Sequence, residues 1–193
     1  MIKIIDGLID DIDLRGLQEL LTGNSRDGFP WAYNSYTVEP GTSPWGRSGQ
    51  EDLDDFQMTH VYYGQEQNGI GRPFSTYFDC VRPILNKIGT RLNNINILSL
   101  IRIKANLRSV APRKDMVIGY HTDISDKASS KITTAIFYVN TNNGYTLFKD
   151  TQKKVDSIEN RLVIFPTNTE HCGVSCTDTK QRIVINFNYI SDM

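Results

Sequence analysis

Three late segments alternate between apolar and specific polar side chains, and this pattern constrains the fold more than any other feature of the sequence. In the first, Ile101, Ile103, Ala105 and Leu107 alternate with Arg102, Lys104 and Asn106. In the second, Ala135, Phe137 and Val139 alternate with Thr134, Ile136 and Tyr138. In the third, Ile183, Ile185, Phe187 and Tyr189 alternate with Arg182, Val184, Asn186 and Asn188. A period of two is that of a β-strand, whose successive side chains point to opposite faces. A one-sided sheet with its polar face in water would read the same way. The polar positions here, however, are Asn, Tyr and Arg rather than runs of Lys and Glu. The expectation is a sheet whose apolar face is covered and whose other face lines a polar pocket.

The N-terminal half can supply the cover. Phe74, Tyr77, Phe78, Val81, Leu85 and Ile88 recur at helical spacing and predict an amphipathic helix over 74–90. An earlier helix is predicted to start with Asp13 as its cap and to carry Leu14, Leu17, Leu20 and Leu21 on one side. Short strands are predicted at Lys3–Ile5 and Met58–Tyr63, and one more at Tyr36–Val38 within an otherwise irregular stretch over 23–50. The whole chain, 1–193, reads as one domain, with a helix and loop region over 1–94 backing a β core over 95–190. That describes a mainly β sandwich or distorted barrel with helical backing.

Composition excludes several classes. Lys+Arg 21 against Asp+Glu 22 leaves no basic surplus for nucleic acid, and the cluster from Arg108 to Lys114 reads as a solvated loop. No apolar run is long enough to span a membrane. The N-terminus shows no secretory signal. Three cysteines, Cys80, Cys172 and Cys176, suit a reducing cytosol, so a cytoplasmic location is expected. A zinc site built on His171, Cys172 and Cys176 is disfavoured, because adjacent residues of an extended chain point to opposite faces.

Candidate chemistry concentrates in the run Gly119-Tyr120-His121-Thr122-Asp123, followed at a distance by His171 and Arg182. The chain has 3 histidines, and two of them fall here. His121 and Asp123, two apart in an extended segment, project from one face. His171 follows the buried-strand pattern Leu162-Val163-Ile164-Phe165-Pro166. Two imidazoles and one carboxylate make up the facial triad that holds Fe(II) and leaves positions open for cosubstrate and oxygen. Arg182 offers a planar, permanently charged fork for a carboxylate, and Tyr138 could donate its hydroxyl to the same anion. A surface His–Asp hydrogen bond, a salt-bridging strand arginine and a half-buried sheet tyrosine would account for each feature taken alone.

Taken together, His121-Thr122-Asp123, the strand Thr134 to Asn140, Asn143-Gly144, Arg161 to Phe165, His171 and Arg182 resemble the Fe(II)/2-oxoglutarate-dependent dioxygenases. The branch most resembled is the prolyl-4-hydroxylase-like one, including small single-domain members encoded by marine phages. The resemblance covers about residues 95–190. It implies a double-stranded β-helix (jelly roll) with N-terminal helices on the major sheet. It also implies His121, Asp123 and His171 as iron ligands, and Arg182 and Tyr138 on the distal carboxylate of 2-oxoglutarate. Asn106, on the strand that replaces the family's Tyr-rich one, is a further candidate for cosubstrate contact. Fe(II), 2-oxoglutarate and O2 are the implied cofactors. The implied reaction hydroxylates an unactivated C–H bond and releases succinate and CO2.

The substrate is not legible in the sequence; a peptidyl proline, a free amino acid or another small metabolite all fit. Trp31, Tyr33, Trp45, His60, Tyr62 and Tyr63 form an aromatic set suited either to a pocket mouth or to core and loop anchoring. A monomer or dimer is expected, without nucleic-acid or membrane partners. The competing readings are a non-catalytic jelly-roll binding protein, an oligomeric phage structural domain, and a cupin-type enzyme. Cupins usually draw on more histidines than this chain has.

Overall fold

The three alternating segments lie on consecutive strands of one sheet. In the computed structural model, which describes residues 1–23, 28–37, 56–91, 96–112, 119–124 and 131–192, they belong to β5 (Ile97–Ser109), β6 (Ile132–Tyr138) and β11 (Gln181–Ser191). The other strands are β1 (Lys3–Ile5), β2 (Ala32–Asn34), β3 (Gln57–Gln65), β4 (Gly71–Pro73), β7 (Tyr145–Phe148), β8 (Lys154–Asp156), β9 (Arg161–Pro166) and β10 (His171–Val174). Among the described residues the helices are α1 (Asp11–Leu21) and α2 (Arg82–Arg91), the second preceded by a 3-10 turn over Phe78–Val81. The larger sheet runs β1-β9-β6-β11-β5-β3-β2, with β4 on β3, and the smaller runs β10-β7-β8. An isolated antiparallel bridge between His121 and His171 sets the His121 segment beside β10. All of the strand pairs are antiparallel. This is the expected double-stranded β-helix.

Alternation decides which face meets which layer. Leu14, Leu17 and Leu21 of α1 and Ile84 and Ile88 of α2 pack with Ile103, Ala105, Phe137, Ile183, Ile185 and Phe187 in one buried cluster. Each such Leu or Ile contributes about 1.5–3 kcal/mol by leaving water. A one-residue slip of β11 would exchange Ile183 and Ile185 for Arg182 and Val184, so this helix-covered face fixes the register. On the opposite face Ile136, Tyr138 and Val184 meet Phe148, Val155, Val163 and Phe165 between the two sheets. Apolar residues close one end of that inner space, and polar ones line the other.

Four predictions at the level of elements need correction. The predicted strand at Tyr36–Val38 is absent at Tyr36, and Val38 lies outside the described residues; the extended segment is instead β2, which is exposed throughout and so shows no burial period. The helix predicted over 74–90 begins only at Phe78. Phe74 continues the sheet edge, its amide donating to Tyr62 O at 2.9 Å, and the Ser75 hydroxyl accepts from the Tyr77 amide at 3.0 Å in the intervening turn. Asp13 sits inside the first turn of α1, where it favours the helix dipole, rather than at its cap. Arg108 belongs to β5 and is only 6% exposed, so it is not part of a solvated loop. Among the described residues, no helix is long and apolar enough to cross a membrane.

Candidate metal and anion site

The bridge between His121 and His171 builds the site. The His121 amide donates to His171 O at 2.9 Å and the His171 amide to His121 O at 3.0 Å, which brings the imidazole centroids to 4.7 Å. Asp123, two residues on, turns toward the same space. Candidate ligand atoms of His121, Asp123 and His171 all lie within 4.8 Å of one another. Nδ1 of His171 is 2.9 Å from Thr169 O. A carbonyl oxygen only accepts, so Nδ1 carries the proton and Nε2 keeps the lone pair that a metal needs. Two nitrogens and one carboxylate suit a divalent first-row metal with open positions. Cys172 points to the outer face, among Tyr145, Leu147 and Val174, as alternation requires.

Asp123 is held from the floor of the larger sheet. Its Oδ2 accepts from Thr134 Oγ1 at 3.0 Å and Asn188 Nδ2 at 3.2 Å, and its Oδ1 from Asn186 Nδ2 at 3.4 Å and Arg102 Nη2 at 3.5 Å. Arg102 Nε also donates to Asn188 Oδ1 at 3.1 Å, which closes the network. Burial alone would raise the Asp123 pKa. The charges of His171, Arg102 and His121 and the hydrogen bond from Asn188 outweigh it and hold the carboxyl well below the usual range. His121 is pushed down to about 4, first by burial and then by the charge of His171, against the pull of Asp123. Both groups are therefore set in their ligating, unprotonated forms near neutral pH.

Arg182, 4% exposed, forms the far wall. Its Nε donates to Ser157 Oγ at 2.8 Å and its Nη2 to Thr146 Oγ1 at 3.2 Å, with the guanidinium over the Tyr138 ring. Among the described residues no carboxylate pairs with it. Burial pushes its pKa down, yet an arginine remains charged. A buried, charged fork bonded only to hydroxyls is costly without an anion. The turn before β7 makes room for it: a Cβ on Gly144 would stand 2.8 Å from Arg182 Cδ and 2.7 Å from Val174 O. The Asn-Gly of the sequence thus has a steric reason.

Between triad and arginine lies a pocket that opens to solvent. His121, Asp123, His171, Arg182 and Asn106 all line it. Tyr138 does not; its hydroxyl donates to Thr146 Oγ1 at 2.7 Å, so Thr146 stands between it and the cavity. Sequence reasoning gave Thr146 and Ser157 no place in the site, put Lys104 on the polar face without a role, and read Arg108 as part of a solvated loop. Alternation marks Lys104, which shares the polar phase of β5 with Arg102 and Asn106, but not Thr146, which shares its face of β7 with Phe148. Ser157 follows β8 in a turn and carried no such signal. Burial and the charge of Arg102 push Lys104 down to about 8, against the pull of Asp123. The aromatic set lies elsewhere: Trp31, Tyr62 and Tyr63 pack on the helix side of the sheet, Tyr33 is exposed, and Trp45 lies outside the described residues. His60 is anchored at 2.9 Å from Pro30 O and 2.7 Å from Ser75 Oγ, away from the metal site.

No family model matches this chain, and no curated protein matches it. Its fold does match solved structures of 2-oxoglutarate/Fe(II) oxygenases. A family member from Burkholderia pseudomallei superposes with a TM-score of 0.66 at 10% identity, over 98% of this chain and 85% of that one. The viral collagen prolyl hydroxylase of Paramecium bursaria Chlorella virus-1, solved with 2-oxoglutarate, gives 0.58 at 14% identity, over 100% of this chain and 96% of that one. A Trichoplax adhaerens prolyl hydroxylase, in complex with a hypoxia-inducible factor peptide fragment, gives 0.59 at 13% identity over 98% and 83%. The jelly roll expected from the sequence resemblance is the fold these proteins share with this chain.

Proposed function

We propose that this chain is an Fe(II)- and 2-oxoglutarate-dependent oxygenase that hydroxylates an unactivated C–H bond. One observation carries the reading: a His-Asp-His cluster and a buried arginine without a carboxylate partner among the described residues face each other across one pocket. His121, Asp123 and His171 would hold the metal, and Arg182, with Thr146 beside it, would take the distal carboxylate of 2-oxoglutarate. Bound together, iron and 2-oxoglutarate would supply the oxidising power, consuming O2 and releasing succinate and CO2. The chain's own contribution is geometry and charge. Asn188, Thr134 and Arg102 orient Asp123, His171 is fixed through Thr169, and Ile136 and Val184 give the cosubstrate lane a dry floor. A peptidyl prolyl group or a small metabolite is the proposed substrate, supported by prolyl hydroxylases among the structural neighbours, one of them with a bound peptide. The near balance of 21 basic and 22 acidic residues supports action without nucleic acid.

The test is anaerobic. Fe(II) and 2-oxoglutarate added to the apo protein should produce the weak visible charge-transfer band of a chelated iron site, and Asp123→Ala should abolish it. A well-folded protein showing no band and no metal uptake would favour a non-catalytic jelly-roll binding or structural protein.

A further inference from the structure

The pocket face of the larger sheet divides into two lanes. In one, β6 and β11 present Ile136, Asn186, Val184 and Arg182, closed from above by Thr146, His171 and Gly173 of the smaller sheet. In the other, β5 and the adjoining strand β3 present Lys104, Asn106, Arg108 and Gln57, with Thr37 beside them. The proposed function gives the first lane to 2-oxoglutarate, which leaves the second for the molecule to be oxidised.

That second lane is cationic. Among the described lining residues, Asp123 is the one acid, and it belongs to the metal cluster. Lys104 pairs in register with Asn186 on one side and Val61 on the other, one step along β5 from Arg102, which reaches Asp123. Its side chain faces the cavity, half-buried, and makes no hydrogen bond or ion pair among the described residues. Arg108, cross-strand from Arg182, makes contacts of its own and adds positive potential at the far end of the lane. A lysine drawn out of water beside other cations is unfavourable unless an anion joins it. If the metal's two positive charges are balanced by the two negative charges of 2-oxoglutarate, the surplus in the second lane persists when the site is loaded.

We propose that the primary substrate presents an anionic group, a carboxylate or a phosphate, to Lys104, and that this contact selects it over neutral analogues. The inference rests on the proposed function, and its test separates the two. The protein is loaded with Mn(II) and 2-oxoglutarate under argon, and binding is followed by calorimetry. The probes are N-acetyl-L-proline, N-acetyl-O-phospho-L-serine amide, and the neutral N-acetyl amides of proline and serine.

An anionic probe should bind at least about tenfold tighter than its neutral partner, the scale of one desolvated charge contact. The carboxylate and phosphate arms tell the two sources apart. Lys104→Met should erase the preference and keep 2-oxoglutarate affinity, whereas Lys104→Arg should retain the preference. Equal binding of neutral and anionic probes, or binding of neither, overturns the inference. So does a Lys104→Met protein that loses 2-oxoglutarate, since Lys104 would then serve the cosubstrate. If Lys104→Met fails to fold, the comparison of probes on the unaltered protein decides alone. Failure of 2-oxoglutarate to bind the unaltered protein overturns the proposed function, and this inference with it.

Discussion

Asn188 donates its side-chain amide to Asp123 Oδ2 at 3.2 Å and is itself held by Arg102 Nε at 3.1 Å. Asn188 is wholly buried, so it cannot trade this partner for water. It acts on the metal by fixing the direction of the carboxylate. Asn188→Leu keeps the volume and removes the donor; divalent-metal affinity should fall about 10- to 100-fold. Mn(II) titration, with near-UV circular dichroism as a control for folding, measures it; unchanged affinity would remove Asn188 from the site.

Arg182 is expected to cost stability in the apo protein, because its charge is buried with only hydroxyl partners. Arg182→Met should leave apo stability unchanged or raise it by about 1–4 kcal/mol, as when buried charges give way to apolar groups. The same change should abolish stabilisation by 2-oxoglutarate. Urea unfolding with and without metal and 2-oxoglutarate checks both halves, and a clear loss of apo stability would show that the guanidinium is already compensated.

The hydroxyls at the far wall can be ranked. Thr146 Oγ1 accepts from both Tyr138 and Arg182 and lines the pocket, whereas Tyr138 reaches the pocket only through it. Thr146→Val should therefore weaken 2-oxoglutarate binding by about 1–3 kcal/mol, the cost of leaving buried donors unpaired, and Tyr138→Phe by only about 0.5–1.5 kcal/mol. Calorimetric titration of the two variants should show that order; the reverse order would put the tyrosine on the anion.

Gly144→Ala places a methyl group 2.7 Å from Val174 O and 2.8 Å from both Arg182 Cδ and Asn142 Oδ1. Backbone on one side and a buried guanidinium stem on the other leave little room to yield. A loss of about 1–3 kcal/mol is expected, measured by chemical denaturation and accompanied by weaker 2-oxoglutarate binding as Arg182 shifts.

Acid should destabilise the apo protein through His121. Its folded pKa, about 4, lies below the ordinary value of 6.5. Between these values the unfolded chain takes up a proton that the native state refuses, so stability rises with pH across that window and is lost as pH falls through it. The loss is at most about 3 kcal/mol. Urea midpoints from pH 7 to pH 4 should fall for the unaltered protein and flatten in His121→Asn; parallel curves would assign the slope to other groups. Asp123, held low, adds a further loss only at more acid pH.

The strand-rich core, its helical backing and the candidate ligands were all legible in the sequence, because each is written in a local period or spacing. Alternation along β5, β6 and β11 assigned the helix side to Ile103, Phe137 and Ile185 and the pocket side to Lys104, Tyr138 and Asn186. His121 and Asp123, two apart, had to share a face. Element boundaries were less legible: Phe74 fits a helical period, yet its amide is committed to the sheet edge. What only the tertiary structure decided is which distant side chains meet. The His121–His171 bridge and the placing of Thr146 between Tyr138 and the cavity depend on how the smaller sheet lies over the larger. The facing of Arg108 and Arg182 depends on cross-strand register. Pairing partners far apart in sequence leave no mark on local periodicity, so the sequence named the chemistry and the packing of two sheets made it a site.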